Sequence, residues 1–337
     1  MSADVADIHS HLYPRWYVEA LKARTEPPHI VGDHGDERFV IFPGEHGRPM
    51  GRDYWAVDAK LDFMQRFDVA QTVVSVGNPW LDPFEGAQAE ELAAQANEYL
   101  AGLEGETGGR IVAVGVLPQH DLDAAVATAR QIGATPSLYG IINGTRLCGR
   151  LFDDPSLEPL WAALEETALP LLVHPHYMVG GAELGGGHAF PLALGFPFET
   201  TLAMARLAFA GVLQRHPALP VIAAHGGGTI PFLAGRLDAG WRSDPLAREH
   251  LATPPSAELA KLYLDTLVYH PAPLLAEERL VGVDHMAFGT DHPFSVADPQ
   301  ANLDAIEAAF GEDDRRAVLS GTARALFGLR APSEAGG

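Results

Sequence analysis

Cysteine and lysine are both scarce. The chain of 337 residues has one cysteine, Cys148. No disulfide can form within it, and a reducing, cytoplasmic setting is expected. The surrounding Thr145-Arg146-Leu147-Cys148-Gly149 carries no nucleophile signature, so Cys148 is read as an ordinary buried or loop thiol. The lysines are Lys22, Lys60 and Lys261 alone. Lysine and arginine together number 23 against 44 acidic residues, a net charge of −21. Such a balance argues against nucleic acid and anionic membranes as partners, while a local cluster of arginines can still hold a small anionic substrate. No uninterrupted apolar run is long enough to cross a bilayer. The N-terminus shows neither the basic nor the apolar region of a signal peptide, and none is expected.

Hydrophobic residues make up 47% of the chain and charged ones 20%, enough for a large core. Short apolar, β-branched runs read as strands at 5–9, 72–76, 111–117, 139–142, 171–174, 221–225, 262–266 and 286–290. Helical patterns follow most of them, at 90–103, 122–132, 157–167, 200–215 and 301–310. Alternation of apolar strands with helices implies a parallel sheet covered by helices, and eight such units imply a (β/α)8 TIM-like barrel. The competing fold, an open doubly wound sheet, would want a glycine-rich fingerprint after its first strand, and Ser10-His11-Leu12-Tyr13-Pro14 is not one. A single domain over 1–330 is expected, with an irregular insertion at about 25–52 after the first strand and a frayed tail at 331–337. A glycine-rich loop at 177–188 reads equally as a mobile or ligand-approaching segment and as a plain connector.

The first strand ends in Asp7-Ile8-His9-Ser10-His11. Residues i and i+2 of a strand share a side, so His9 and His11 can aim at one point. Three later apolar runs end in Val173-His174-Pro175-His176, Ala224-His225-Gly226-Gly227-Gly228 and Gly289-Thr290-Asp291-His292-Pro293. In a barrel these ends converge on the catalytic face. The set is four histidines and a carboxylate, the donors a borderline divalent metal favours. Each has a bland alternative. His174 or His225 can be a buried imidazole bonded to backbone, and Asp291 can cap a helix ahead of Pro293. Those alternatives must hold together at the same end of four strands.

These motifs resemble the amidohydrolase superfamily, in the branch of 2-amino-3-carboxymuconate-6-semialdehyde decarboxylase and its relatives. Further matches are Gly195-Phe196-Pro197-Phe198-Glu199-Thr200-Thr201 and Pro231-Phe232-Leu233-Ala234-Gly235-Arg236. The resemblance implies one metal, zinc or in some decarboxylases Mn²⁺, held by His9, His11, His174 and Asp291. It implies that His225 and Asp291 are the catalytic pair, with His225 exchanging a proton beside the metal. Two-metal relatives often bridge their ions with a lysine on the fourth strand, and none stands near 139–142 here. It also implies a homodimer in which Arg236 reaches the neighbouring site. His176 and His292 stand where the branch usually has aromatics, which bears on substrate identity.

Arginine suits a substrate carboxylate because its planar fork matches the two oxygens. Arg48, Arg52 and Arg242 are candidates beside Arg236, and Trp16, Trp80, Tyr177 and Phe294 can line a pocket for a flat acid. The expected activity is metal-dependent decarboxylation of an aromatic or muconate-like carboxylic acid. The alternatives are a hydrolase or hydratase using the same site, with Asp291 as general base, and a metal-binding barrel without catalysis.

Overall fold

The apolar runs pair side by side. The computed structural model describes residues 4–33, 35–180, 184 and 189–330. Much of the glycine-rich stretch (181–183 and 185–188) and the tail 331–337 lie outside the described residues. β1 (Val5–His11) opens the barrel and is buried along its whole length. The insertion follows as a separate antiparallel sheet of three short strands: β2 (His29–Val31), β3 (Arg38–Val40) and β4 (Arg48–Pro49). The barrel continues with β5 (Val69–Ser75), β6 (Ile111–Val116), β7 (Leu138–Asn143), β8 (Leu171–Val173), β9 (Val221–Ala223), β10 (Tyr263–Asp265) and β11 (Met286–Ala287). Strand order is β1-β5-β6-β7-β8-β9-β10-β11, each neighbouring pair parallel.

Closure comes from the last strand returning to the first. Ile8 N donates to Phe288 O at 2.9 Å and His11 N to His292 O at 2.8 Å. Ser10 and His292 form a parallel bridge. The fold is therefore a (β/α)8 barrel with an insertion after its first strand.

Helices cover the outside. α1 (Arg15–Lys22) and α2 (Val57–Arg66) precede β5. α3 (Gly86–Glu106), α4 (Leu122–Gly133) and α5 (Glu158–Glu166) follow β5, β6 and β7 in turn. α6 (Phe196–Phe209) and α7 (Val212–Arg215) follow β8, and α8 (Ile230–Ser243) and α9 (Pro255–Leu259) follow β9. α10 (Pro271–Val281) follows β10, and α11 (Pro299–Ala309), α12 (Glu312–Arg316) and α13 (Thr322–Phe327) complete the chain. Strands covered on both faces need apolar side chains throughout, which is why β6 and β8 read as continuous apolar runs. Among the described residues no helix is long and apolar enough to cross a membrane.

The single helix expected over 200–215 is two. Gly211 breaks it at φ +67°, and a Cβ there would lie 2.3 Å from His250 O. Only glycine takes that conformation in that space without strain. Asp298, not Asp291, caps α11 through Ala301 N at 3.0 Å, so Asp291 is free for other work.

Ile222, fully buried on β9, measures how much the barrel interior contributes. Ile222→Ala should lower unfolding free energy by about 3 kcal/mol in chemical denaturation. A loss under about 1 kcal/mol would show that the site collapses around the deletion.

Candidate metal centre and active site

Asp7 fixes the strand that carries the first two histidines. Its carboxylate accepts from His9 N at 3.0 Å, Thr72 Oγ1 at 3.1 Å, Thr290 N at 3.1 Å and Thr290 Oγ1 at 2.7 Å. One buried side chain thus ties β1 to β5 and to the segment after β11. Gly289 permits the close approach, since a Cβ there would sit 2.9 Å from His9 Cβ.

His9, His11, His174 and Asp291 meet at one point, all buried, with one donor atom of each within 4.8 Å of the others. Asp291 Oδ1 stands 3.4 Å from His9 Nε2, 3.3 Å from His11 Nε2 and 3.8 Å from His174 Nε2. Every ring is held from behind. His9 Nδ1 donates to Asp265 Oδ2 at 2.7 Å, His11 Nδ1 pairs with Ser75 Oγ at 2.9 Å, and His174 Nδ1 donates to Pro175 O at 2.8 Å. The backbone-bonded reading of His174 is thus half right, since its second nitrogen is left over. The three Nε2 atoms and Asp291 Oδ1 are buried without a hydrogen-bond partner.

Such orphans cost on the order of 1–3 kcal/mol each unless something else satisfies them. A divalent cation satisfies all four at once. Tetrahedral donors about 2.1 Å from a common ion stand about 3.4 Å apart, which matches the His9 and His11 contacts to Asp291. The donor set therefore fits a divalent metal.

Electrostatics agree for two of the three rings. Burial pulls His11 down to about 3 and His174 down to about 4, leaving both as neutral donors at neutral pH. Burial also opposes a charged His9, but the Asp265 and Asp291 carboxylates outweigh it and carry the ring up to about 10, so a metal at its Nε2 would have to displace a proton. Burial alone would raise Asp291; the imidazoles around it hold it well below the carboxylate range instead.

Asp265 is the residue that sequence reasoning missed. Beyond His9 it accepts from His225 N at 2.9 Å, Gly226 N at 2.9 Å and Leu267 N at 3.2 Å. Its signal was present, since it ends an apolar strand as Asp291 does. His225 sits at φ +57°, and Gly226, Gly227 and Gly228 follow at +61°, +68° and +66°. That left-handed turn ends β9 and lifts the imidazole over the cluster. His225 Nε2 lies 3.8 Å from Asp291 Oδ2.

A cavity of about 370 Å³ opens onto His174, His225 and Asp291. Its walls are largely apolar, with Phe196, Leu267, Val268 and Phe294 among them, and Arg48 is the one arginine or lysine among the described lining residues. Arg48 comes from β4 and is braced by Glu45 Oε1 at 2.9 Å. The other candidates lie elsewhere. Arg52 pairs with Asp58 in solvent, and Arg236 and Arg242 are exposed on α8. Trp80 is buried, its ring 5.6 Å from that of His174. Tyr177 is exposed, bonded to Asp82 and stacked under Arg146, and Trp16 packs beside Tyr17. His176 is buried behind Trp80, with its backbone N–H donating to Glu199.

Residues 6–329 match the amidohydrolase family model. The chain belongs to the amidohydrolase family. Within it, the chain is 28% identical to the 2-amino-3-carboxymuconate-6-semialdehyde decarboxylase of Dictyostelium discoideum, covering 96% of this chain and 91% of that one. The crystal structure of Metarhizium anisopliae IDCase in apo form superposes with a TM-score of 0.91 at 32% identity, covering 96% and 97% of the two chains. A dihydroxybenzoic acid decarboxylase from Polaromonas, solved with bound manganese and an inhibitor, shares the fold at 20% identity with a TM-score of 0.78, covering 96% and 97%. This amidohydrolase is an enzyme built on a barrel with its polar cluster at the strand ends.

Asp265→Asn should weaken metal binding by about 10- to 100-fold, because it removes the negative partner of His9. Competition with a chromogenic chelator reads this directly, and unchanged affinity would deny Asp265 that role.

Proposed function

We propose that the protein is a metal-dependent decarboxylase acting on a flat aromatic or muconate-like carboxylic acid. The observation that carries the reading is the cavity: an apolar slot with a single guanidinium, opening on His225 and the orphaned donor cluster. Relatives named as decarboxylases support carbon–carbon cleavage over the hydrolase or hydratase alternative. His9, His11, His174 and Asp291 hold one divalent ion in this reading, Zn²⁺ from the imidazole-rich donor set, with Mn²⁺ as the other candidate.

When bound, such an ion supplies Lewis-acid charge for substrate oxygens. The rest is the work of this chain. Arg48 holds a carboxylate, and Phe294 with the other apolar walls holds the flat body and keeps water out. The bond to the departing carboxylate breaks, CO₂ leaves, and the electron pair on carbon takes a proton to form C–H. That proton comes from the His225–Asp291 pair, whose facing atoms are 3.8 Å apart at the cavity floor. Arg52, Arg242, Trp80 and Tyr177 lie outside the cavity lining and take no step.

The active unit in this reading is a cytoplasmic homodimer. Phe232 is 87% exposed on α8, and Phe198 and Leu202 on α6, a helix packed against α8, are about two-fifths exposed. Such an apolar face favours a partner, and pairing across it would carry the exposed Arg236 toward a neighbouring cavity.

The test is CO₂ release from metal-loaded protein across muconate semialdehydes and hydroxybenzoates, with a chelator-stripped control. CO₂ should appear in step with substrate loss and vanish with the metal. Substrate loss without CO₂ would move the protein to hydrolysis or hydration. His225→Asn should lower kcat by about 100-fold or more at full metal occupancy; intact turnover would remove His225 from the mechanism. Arg48→Gln should act on binding, raising KM about 10- to 100-fold with a smaller change in kcat. An unchanged KM would free Arg48 from substrate.

A further inference from the structure

Behind the donor cluster, on the outer side of the barrel wall, lies a buried ammonium. Lys60 on α2 is fully buried, while the side chains of Lys22 and Lys261 stay 15% and 47% exposed. Its Nζ donates to Ser10 Oγ at 2.5 Å, to His292 Nδ1 at 2.6 Å and to His292 O at 3.1 Å. An ammonium has three N–H bonds, and here each has an acceptor.

The acceptors are not scattered. Ser10 separates His9 from His11, and alternation along a strand turns it outward when they face inward. His292 is the residue after Asp291. Ser10 Oγ also donates to His292 O at 3.1 Å, and His11 N reaches the same carbonyl at 2.8 Å. The His292 ring is stacked on Phe63, one helical turn from Lys60, with centroids 3.7 Å apart. α2 therefore grips the two chain segments that supply three of the four donors, at the residues that cannot themselves face the cluster. Burial disfavours the charge and draws Lys60 down to about 7 against the pull of Asp7. An apolar side chain would fill the same space without that penalty, so the network has a use beyond packing.

We infer that Lys60 is a positioning residue whose three hydrogen bonds lock the His9-Ser10-His11 strand to the Asp291-His292 turn, and so set the spacing of the metal donors. This rests on the metal site of the proposed function, and it adds a handle outside the cavity.

Lys60→Met keeps the length and removes the donors. Protein stripped of metal is titrated with Zn²⁺ and with Mn²⁺ against a competing chelator, and the thermal midpoint of the stripped form is followed in parallel. Metal affinity should fall about 10- to 100-fold, while the stripped form melts no earlier than wild type. At saturating metal, kcat should fall and KM hold. His292→Phe, which keeps the stack on Phe63 and loses one acceptor, should weaken metal binding by a smaller factor. A folded Lys60→Met protein with unchanged affinity and kcat overturns the inference. If Lys60→Met does not fold, unchanged affinity in His292→Phe overturns it, and weakened affinity with an unshifted stripped-form midpoint upholds it. The titration needs no substrate, so its failure is separate from failure of the decarboxylase reading. A wild type that binds neither ion overturns both.

Discussion

The hydrogen bond between Asp265 and His9 is the contact on which the site depends. A neutral imidazole presents one lone pair, and its second nitrogen decides which one. Because the Asp265 carboxylate accepts a hydrogen bond from Nδ1–H, Nε2 faces the cluster. The same carboxylate holds the backbone of His225 and Gly226, so the orientation of a cluster donor and the placement of the histidine proposed to move the proton share one anchor. Asp7 does similar service on the other side, joining β1 to the segment that delivers Asp291.

Backbone strain is present where these anchors act. His225 and Asp291 both adopt left-handed backbone, at φ +57° and +56°. Residues with a Cβ occupy that region at a cost of roughly 1 kcal/mol or more, and the surrounding bonds must over-determine them. For Asp291 they do: its N–H donates to His9 O at 2.8 Å, and its neighbour His292 receives Lys60 and Ser10. The barrel closes at the same place, so the seam between last strand and first is also the seam between the two halves of the donor set.

Much of this was legible in the sequence because it rests on short-range periodicity. A two-residue spacing is enough to aim His9 and His11 together, and a run of β-branched residues is enough to place His174, His225 and Asp291 at strand ends. The eight strands are readable on the same grounds, and the insertion from its richness in Gly, Pro, His and charge. What could not be read lies in long-range pairing. Asp265 meets His9 across 256 positions and Lys60 meets His292 across 232, and no local pattern encodes such meetings. The strands of the insertion, three residues or fewer each, are too short to show a period. The arginines were unresolved for the same reason: only folding tells Arg48, turned into the cavity, from Arg52, paired with Asp58 in solvent.

The position of Arg48 has a consequence of its own. It stands on a small sheet that is hydrogen-bonded within itself and not to the barrel strands, whereas every donor of the cluster belongs to the barrel. In the proposed reading, selection of the acid and its chemistry thus sit on separable lengths of chain. Exchanging the hairpin of β3 and β4 for one of different charge would re-address the enzyme to another carboxylic acid while the barrel, its closure and its metal donors stay as they are.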